Sequence, residues 1–297
     1  MGVFLRGVLM GAADIVPGVS GGTMAFITGI YDRLLSSIRA FDLQFLRWLS
    51  RGNVRRAWEH VDGAFLLTLG AGIATSILSL ARMIAWLLDA YPVPLWAFFF
   101  GLILASALVL LRQVPHWTAA RCACLVAGLV IAAAIALRPV VALPAGLPAV
   151  FIAGFIAICA MILPGISGSF ILILLGMYAT VLHAVRSLEL SVMLVFAVGA
   201  ALGLMCFSRV LHWLLRRYHA ATMALLTGFL FGSLLVVWPW KHPLDWVLGS
   251  DGVPRPAQQV PVLPWNFANE PWLATCLVLM IVGFALVWLI ERRWGGR

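Results

Sequence analysis

Six long apolar segments constrain this chain more than any other feature of its sequence. A helix needs about 20 apolar residues to cross the hydrocarbon core of a bilayer. Only 10% of the residues are charged and the mean hydropathy is +1.05, whereas a soluble domain carries about 25% charged residues. The sequence therefore predicts an all-α polytopic membrane protein, with one membrane domain over residues 1–297. The predicted spans are 62–88, 94–111 and 119–137 in the first half and 191–215, 220–238 and 271–291 in the second.

A segment of a different kind precedes each set of three spans. Residues 3–38 and 148–185 are apolar but interrupted in the middle, by Pro-Gly-Val-Ser-Gly-Gly at 17–22 and by Pro-Gly-Ile-Ser-Gly at 164–168. A non-helical turn at membrane depth is tolerated only where it is buried in protein or lines a watery cavity. Arms of about 12–18 residues reach roughly 18–27 Å, enough to enter the membrane and return. Each segment is therefore predicted to be a re-entrant helical hairpin.

The two halves of the chain resemble each other. At an offset of 147 residues the first Pro-Gly-x-Ser-Gly run falls on the second, and at an offset of 127 Arg82 falls on Arg209. Chance agreement is common for Leu and Ala in apolar sequence, but not for Arg or for such a run. We interpret residues 1–138 and 148–291 as two repeats, each a re-entrant hairpin followed by three transmembrane helices.

The positions of the basic residues indicate the orientation of these repeats. If both hairpins are re-entrant, fourteen basic residues lie on the side of the two termini and four on the other side, namely Arg138, Arg186, Lys241 and Arg255. If the broken segments span the membrane, the best split is eleven to seven. The positive-inside rule thus favours inverted repeats with both termini cytoplasmic. The net charge of +9 is topogenic, and we expect no nucleic-acid partner.

Residues 39–60 interleave five arginines with leucine, phenylalanine and tryptophan. This pattern is typical of a basic amphipathic helix that lies on an anionic cytoplasmic surface. An ordinary cytoplasmic loop is the alternative.

The two interrupted turns carry residues suited to binding an anion. The first N–H groups of a half-helix are unpaired, and together with the positive end of the helix dipole they attract phosphate or carboxylate. Glycines allow close approach of a ligand to the backbone, and hydroxyls add donors. A simple kink is the alternative, but two such turns at matched positions weigh against it. The candidate phosphate-binding residues of the turns are Gly18, Ser20, Gly21, Gly22, Thr23, Ser167, Gly168 and Ser169.

Three charged residues inside the apolar segments complete the candidate site. Arg82 and Arg209 lie inside the ends of matched spans. An arginine in lipid costs several kcal/mol or more unless it meets a partner or water, and its guanidinium can bind a phosphate with two hydrogen bonds. Snorkelling to the interface is the alternative. Asp14, three residues before Pro17, is a candidate partner for an arginine or carrier of a coupling proton.

The run Gly-Ala-Ala-Asp-Ile-Val-Pro-Gly-Val-Ser-Gly-Gly-Thr at 11–23 resembles the N-terminal signature of the bacterial polyprenyl-phosphate (undecaprenyl-phosphate) transporter family. The resemblance extends through Leu-Pro-Gly-Ile-Ser-Gly-Ser at 163–169 and covers essentially the whole chain. It implies a flippase of the cytoplasmic membrane that returns undecaprenyl phosphate, or another polyprenyl phosphate, from the outer to the inner leaflet for peptidoglycan and other envelope polymers. The expected partner is this anionic lipid. No cofactor or metal is expected, and the sequence does not reveal an oligomeric state.

Two alternatives remain open at this stage. Undecaprenyl-pyrophosphate phosphatases also resemble inverted repeats with re-entrant Pro-Gly-x-Ser turns, which would make Ser20 or Ser167 catalytic. Their turn typically continues Ser-Arg-Ser, whereas here the serines are followed by glycine. Phosphoryl transfer needs concentrated positive charge and a base or metal, so we expect no enzyme. A secondary transporter of a small anion is the other alternative, because broken helices suit it equally well.

Overall fold

The structure is a computed structural model, and it describes residues 2–15, 20–137, 143–144, 146–248 and 254–294. Within these ranges the chain is nearly all α-helical, with one short 3-10 helix and two strands. In chain order the helices are α1 (Val3–Ile15), α2 (Gly21–Ile27), α3 (Tyr31–Arg39), α4 (Leu43–Ser50), α5 (Val54–His60), α6 (Gly63–Ala90), α7 (Pro92–Gln113), α8 (Ala119–Leu137), α9 (Leu147–Ile162), α10 (Gly168–Leu174), α11 (Tyr178–Arg186), α12 (Leu190–Arg217), α13 (His219–Ser233) and α14 (Leu273–Trp294).

Five of the described helices are long and apolar enough to cross a membrane, namely α6, α7, α8, α12 and α14. A sixth span is possible if the bent pair α10 and α11 counts as one. The predicted segment 220–238 is helical only to Ser233 and continues as turns before Pro239. Several membrane-crossing helices are therefore present, as the apolar segments predict.

Each interrupted segment contains two breaks, whereas the sequence analysis predicted one. The first break separates α1 from α2 and α9 from α10, and the second follows the seven residues of α2 and α10. At the second break Gly29 and Gly176 have φ angles of +70° and +67°, a conformation that glycine adopts without steric cost. The second break bends α11 by 114° from α10. Each segment thus consists of a long arm, a half-helix and a third helix that follows a glycine with a positive φ.

The helices of the two halves match in length and packing. The bounds of α10 and α11 equal those of α2 and α3 plus 147, and the bounds of α12 equal those of α6 plus 127. The arm α1 packs along α6, and α9 packs along α12. A Cβ on Gly72 would collide with the carbonyl of Phe4, and a Cβ on Gly199 with that of Phe151. These pairs are related by the same two offsets, and small residues of this kind let helices approach closely in membranes.

The third helix of each half packs against the second helix of the other half. α8 lies along α13, and α14 lies along α7. The approach again depends on glycine: a Cβ on Gly228 would collide with the Leu125 carbonyl, and one on Gly101 with the Met280 carbonyl. This exchange joins the two halves into one bundle.

One prediction about the connecting segments is wrong, and the connection between α13 and α14 adds two strands. Residues 39–60 form two short helices, α4 and α5, because Gly52 between them has a φ of +69°. Asp42 and Asn53 accept hydrogen bonds from the first backbone amides of the two helices, as N-cap residues do. The chain is also not purely α-helical. Strands β1 (Lys241–Leu248) and β2 (Pro254–Pro261) pair antiparallel within the connection between α13 and α14.

Candidate functional site

The first interrupted turn is closed by hydrogen bonds among its own residues. The N–H of Gly21 donates to Oδ1 of Asp14 at 2.7 Å, and the N–H of Gly22 donates to Oγ of Ser20 at 3.1 Å. These are the first amides of α2, which a helix leaves without intrahelical partners. The protein itself therefore occupies the donors that the sequence analysis assigned to an anion. Gly18 belongs to 16–19, which lie outside the described residues.

The first turn is also bonded to the second interrupted segment. Ser20 Oγ donates to the carbonyl of Met161 at 2.9 Å, and the Tyr31 hydroxyl donates to the carbonyl of Ile162 at 2.9 Å. These carbonyls are at the C-terminal end of α9, where a helix lacks acceptor partners. In the opposite direction, the N–H of Gly165 donates to Thr23 Oγ1 at 3.1 Å. We call these three hydrogen bonds the tip staple.

The tip staple is packed too closely to admit a ligand. Ser20 is 1% exposed and Thr23 is fully buried. A Cβ on Gly22 would lie 2.8 Å from the carbonyl oxygen of Ile162, so only glycine allows α2 to reach the end of α9. In this conformation, Ser20, Gly22 and Thr23 hold the two turns together.

The second interrupted turn lines a small cavity instead. Ser167 precedes α10 without capping it, and its Oγ lies 2.8 Å from Oγ of Ser169. Asp14 of α1 reaches the same cavity, whose volume is about 250 Å³. The structure therefore brings Asp14 together with Ser167, Gly168 and Ser169. The remaining lining residues are Gly154, Ala157, Ile158, Met161, Leu172, Phe196 and Ala200.

The two candidate arginines lie elsewhere. Arg82 is exposed on α6, and Arg209 is exposed on α12. Arg209 lines a separate open cleft near the C-terminal end of α12, which shares no residue with the cavity of the second turn. The structure does not bring Arg209 to Ser167 in this conformation. Among the described residues, no group of three or more His, Cys, Asp or Glu is placed to hold a metal ion.

Tyr31, which joins the two interrupted segments, is not among the site residues predicted from the sequence. Tyr31 contributes one of the three hydrogen bonds of the tip staple, and its partner is a backbone carbonyl, which no side-chain motif reveals. One signal was present, because Gly29 and Tyr31 align with Gly176 and Tyr178 at the offset of 147. Tyr178 is half-buried and makes no hydrogen bond through its hydroxyl within the described part of the chain. The matched tyrosines therefore differ in their contacts.

Comparison with known proteins gives consistent matches. A family model described as undecaprenyl phosphate translocase-like matches residues 10–254. A polyprenyl-phosphate transporter from Vibrio cholerae is 48% identical over 298 aligned positions, which cover 98% of this chain and 96% of the relative. A polyprenyl-phosphate transporter from Staphylococcus aureus is 32% identical over 253 positions, which cover 79% of this chain and 85% of the relative. No solved structure matches.

Proposed function

Because this chain belongs to the undecaprenyl phosphate translocase-like family, we propose that it transports a polyprenyl phosphate lipid across the membrane. Both relatives reported above are named polyprenyl-phosphate transporters. The lipid carries a phosphate group that must pass the hydrocarbon core, and this passage needs a polar path inside the protein. Polar groups gather where the two interrupted segments meet, and this supports such a path once the turns separate.

The observation that carries the proposal is the contact between the two polar turns. Both turns interrupt apolar helices, and broken helices that meet within the bundle are characteristic of transporters with alternating access. The matched helix bounds and the reciprocal packing of the two halves support two repeats of inverted topology. In this arrangement both termini face the cytoplasm, the membrane is the cytoplasmic membrane of a bacterium, and the lipid returns from the outer to the inner leaflet.

The residues available to the proposed phosphate site differ according to whether the two interrupted turns, which we call the tips, are in contact or apart. In the described conformation the cavity of Ser167, Gly168 and Ser169 is available, and its hydroxyls and glycines suit a phosphate oxygen. Separation of the tips would release the groups now used in the tip staple. The turn of the first repeat would then present a second, matched set. That set consists of Gly18, Ser20, Gly21, Gly22 and Thr23.

The matched arginines have a role at the two ends of this path. Arg82 and Arg209 lie on α6 and α12, eight residues before the C-terminal end of each helix, or about 12 Å at 1.5 Å per residue. Their exposure on the bundle allows each guanidinium to meet a phosphate that enters or leaves sideways from the bilayer. Asp14 lies between the two turns, where its charge would oppose the phosphate. Protonation of Asp14 is therefore a candidate coupling step.

The cavity beside the second interrupted turn, which we call the tip cavity, has a lining that argues against phosphate hydrolysis. A phosphatase must concentrate positive charge around the transferring group. Of the residues that line this cavity, Asp14 is charged and no other is ionisable. This lining offers no cation to stabilise the charge that develops in phosphoryl transfer, and the names of the two relatives agree with a transporter.

Two readouts on the same reconstituted vesicles test the proposal. The first is the release of inorganic phosphate from polyprenyl pyrophosphate, and the second is the movement of polyprenyl phosphate between leaflets. We expect movement without release, and slower movement by Arg82→Ala, Arg209→Ala and Ser20→Ala at several pH values. Phosphate release at an enzymatic rate would replace the transporter by the phosphatase. Wild-type rates for all three variants would refute the proposed site.

A further inference from the structure

A basic cleft lies outside the tip cavity, between the C-terminal ends of α3 and α12. Its volume is about 600 Å³, which falls within the range of ligand sites in proteins, roughly 300–1,000 Å³. Four arginines line it, and we call it the arginine cleft. Its lining residues are Arg39, Asp42, Arg209, His212, Trp213, Arg216 and Arg217.

The one carboxylate of the arginine cleft is engaged elsewhere. Oδ1 of Asp42 accepts hydrogen bonds from the backbone amides of Gln44 and Phe45, both at 2.9 Å. The same oxygen lies 3.2 Å from Nε2 of His60. Desolvation raises the pKa of Asp42, but the hydrogen bonds from Phe45 and Gln44 and the contact with His60 outweigh it and hold the pKa below its usual value. Asp42 therefore serves as the N-cap of α4, forms no ion pair with an arginine among the described residues, and leaves the four arginines of the cleft in excess over one carboxylate.

The arginines have no acidic partners of their own. Within the described part of the chain, the ion pairs of arginine are Arg33 with Asp62 and Arg55 with Glu59, and none includes an arginine of the cleft. The Nε2 atom of His212 is buried in the same wall and lacks a hydrogen-bond partner among the described residues. Clustered like charges and an unpaired buried nitrogen leave the cleft electrostatically suited to an anion with several oxygens.

An apolar stripe on α12 leads to the arginine cleft. Leu194, Val198, Leu202 and Val210 are 43–63% exposed and follow one another at multiples of four residues, so they form a stripe that turns by about 40° around the helix at each four-residue step. The stripe ends at Trp213, which lines the cleft and packs edge-on against Tyr218 with ring centroids 5.7 Å apart. A ligand with a phosphate head and a long apolar chain can therefore occupy the cleft and the stripe together.

The matched end of α6 does not repeat this charge. The offset of 127 places Arg209 on Arg82 and Trp213 on Trp86, but it places Arg216 on Asp89 and Arg217 on Ala90. The offset of 147 places Asp42 on Glu189 and Arg39 on Arg186. The cleft positions thus hold four arginines and one acid, whereas the counterpart positions hold two arginines and two acids. An anion should bind more tightly at the α12 end of the bundle.

We propose that the arginine cleft binds the phosphate group of a lipid phosphate at one end of the transport path, with Arg39 and Arg216 as new ligands beside Arg209. The lipid identity rests on the proposed function, whereas the anion site rests on the cleft alone. Guanidinium groups from α3 and α12 hold the phosphate from two sides. The apolar chain lies along the exposed stripe of α12.

Equilibrium binding to the purified full chain in detergent tests this proposal. The probes are polyprenyl phosphate, neutral polyprenol and inorganic phosphate. The variants are Arg39→Gln and Arg216→Gln. Arg55→Gln on α5 is the matched control, because Arg55 is exposed and its one ion pair within the described residues is with Glu59 at 3.0 Å. We expect each cleft variant to bind polyprenyl phosphate at least tenfold more weakly, about 1.4 kcal/mol. Arg216→Lys should recover part of the loss, and the control should stay within twofold of wild type.

The outcomes separate the cleft from the proposed function. The proposal that the cleft binds a phosphate is overturned if both folded variants bind polyprenyl phosphate as wild type does. It is also overturned if neutral polyprenol binds as tightly as polyprenyl phosphate. If inorganic phosphate binds as tightly as polyprenyl phosphate and its binding depends on the arginines, the cleft is a site for free phosphate and the lipid ligand is refuted. If the reconstituted protein moves polyprenyl phosphate between leaflets but the cleft variants bind it normally, only the proposed binding site in the cleft is refuted. If binding depends on the arginines but no lipid moves, only the proposed transport fails. Thermal unfolding of each variant identifies any that misfold, and the decision then rests on the cleft variant that folds.

Discussion

Substitution of Tyr31 by Phe tests the tip staple with the smallest possible change. The ring is 4% exposed and its centroid lies 4.6 Å from that of Phe26, so Phe preserves the packing. Only the hydroxyl is lost, and no other described side chain donates to the carbonyl of Ile162. A buried polar group left unpaired costs about 1–3 kcal/mol, but interhelical hydrogen bonds in membrane proteins average roughly 0.6 kcal/mol with a maximum near 1.7. We expect Tyr31→Phe to lower the free energy of unfolding by about 1–2 kcal/mol.

Tyr178→Phe is the matched control for this prediction. Tyr178 begins α11 as Tyr31 begins α3, but in the described part of the chain its hydroxyl donates no hydrogen bond. Reversible unfolding in mixed detergent micelles should therefore place Tyr178→Phe within about 0.5 kcal/mol of wild type, as for a change without a lost contact. Equal unfolding free energies for the two variants would refute the tip staple as a stabilising contact.

Three further perturbations address the tips and the connection after α13. Gly22→Ala should lower both the unfolding free energy and the transport rate, because its Cβ would lie 2.8 Å from the last carbonyl oxygen of α9. Gly70→Ala is the control and should lower neither, because nothing lies within 4 Å of its added Cβ. Equal losses of stability in the two variants would contradict the close packing at Gly22. In Asp14→Asn the side chain can still accept the hydrogen bond from the N–H of Gly21, so the protein should fold while its transport rate falls. A wild-type transport rate at every pH would show that Asp14 is not the coupling residue. Desolvation lowers the pKa of Lys241 from 10.5 to about 7. The unfolded chain then binds more protons between these pH values, so stability should rise with pH across that window. Lys241→Met should abolish this slope in unfolding measurements, and an unchanged slope would assign it to another group.

The strength of the tip staple suits a contact that must open. Three hydrogen bonds of about 0.5–1.5 kcal/mol each sum to a few kcal/mol. A free energy of this size keeps the tips together in the absence of ligand, yet a ligand that prefers the open form can offset it.

Hydropathy and repetition predicted the helices because both depend on local sequence. The apolar segments and their offsets of 147 and 127 reappear as matched helix bounds. Local patterns failed where one residue changes the backbone direction. Gly52 divides the predicted amphipathic helix, and Gly29 and Gly176 add the second breaks, each with a positive φ. A glycine has many uses in a membrane helix, so its identity alone does not predict a break.

The contacts of the candidate site could not be predicted from the sequence for a different reason. Ser20 was expected to bind ligand, but its hydroxyl bonds to a backbone carbonyl 141 residues away. Such partners depend on how two segments pack and leave no residue-type signature. The arginine cleft was likewise hidden, because Arg39, Arg216 and Arg217 have the positions of ordinary topogenic charges at helix ends. Their convergence depends on the packing of α3 against α12.

The most direct test of the account is the rate at which polyprenyl phosphate changes leaflet in vesicles that contain the purified protein. The lipid is placed in the outer leaflet, and an impermeant phosphatase added outside at timed intervals reports the fraction still exposed. The account predicts that the protected fraction grows faster in proportion to the protein reconstituted, while neutral polyprenol, followed by a separate label, gains nothing from the protein. A rate equal to that of protein-free vesicles, or equal acceleration of polyprenol, would contradict the account.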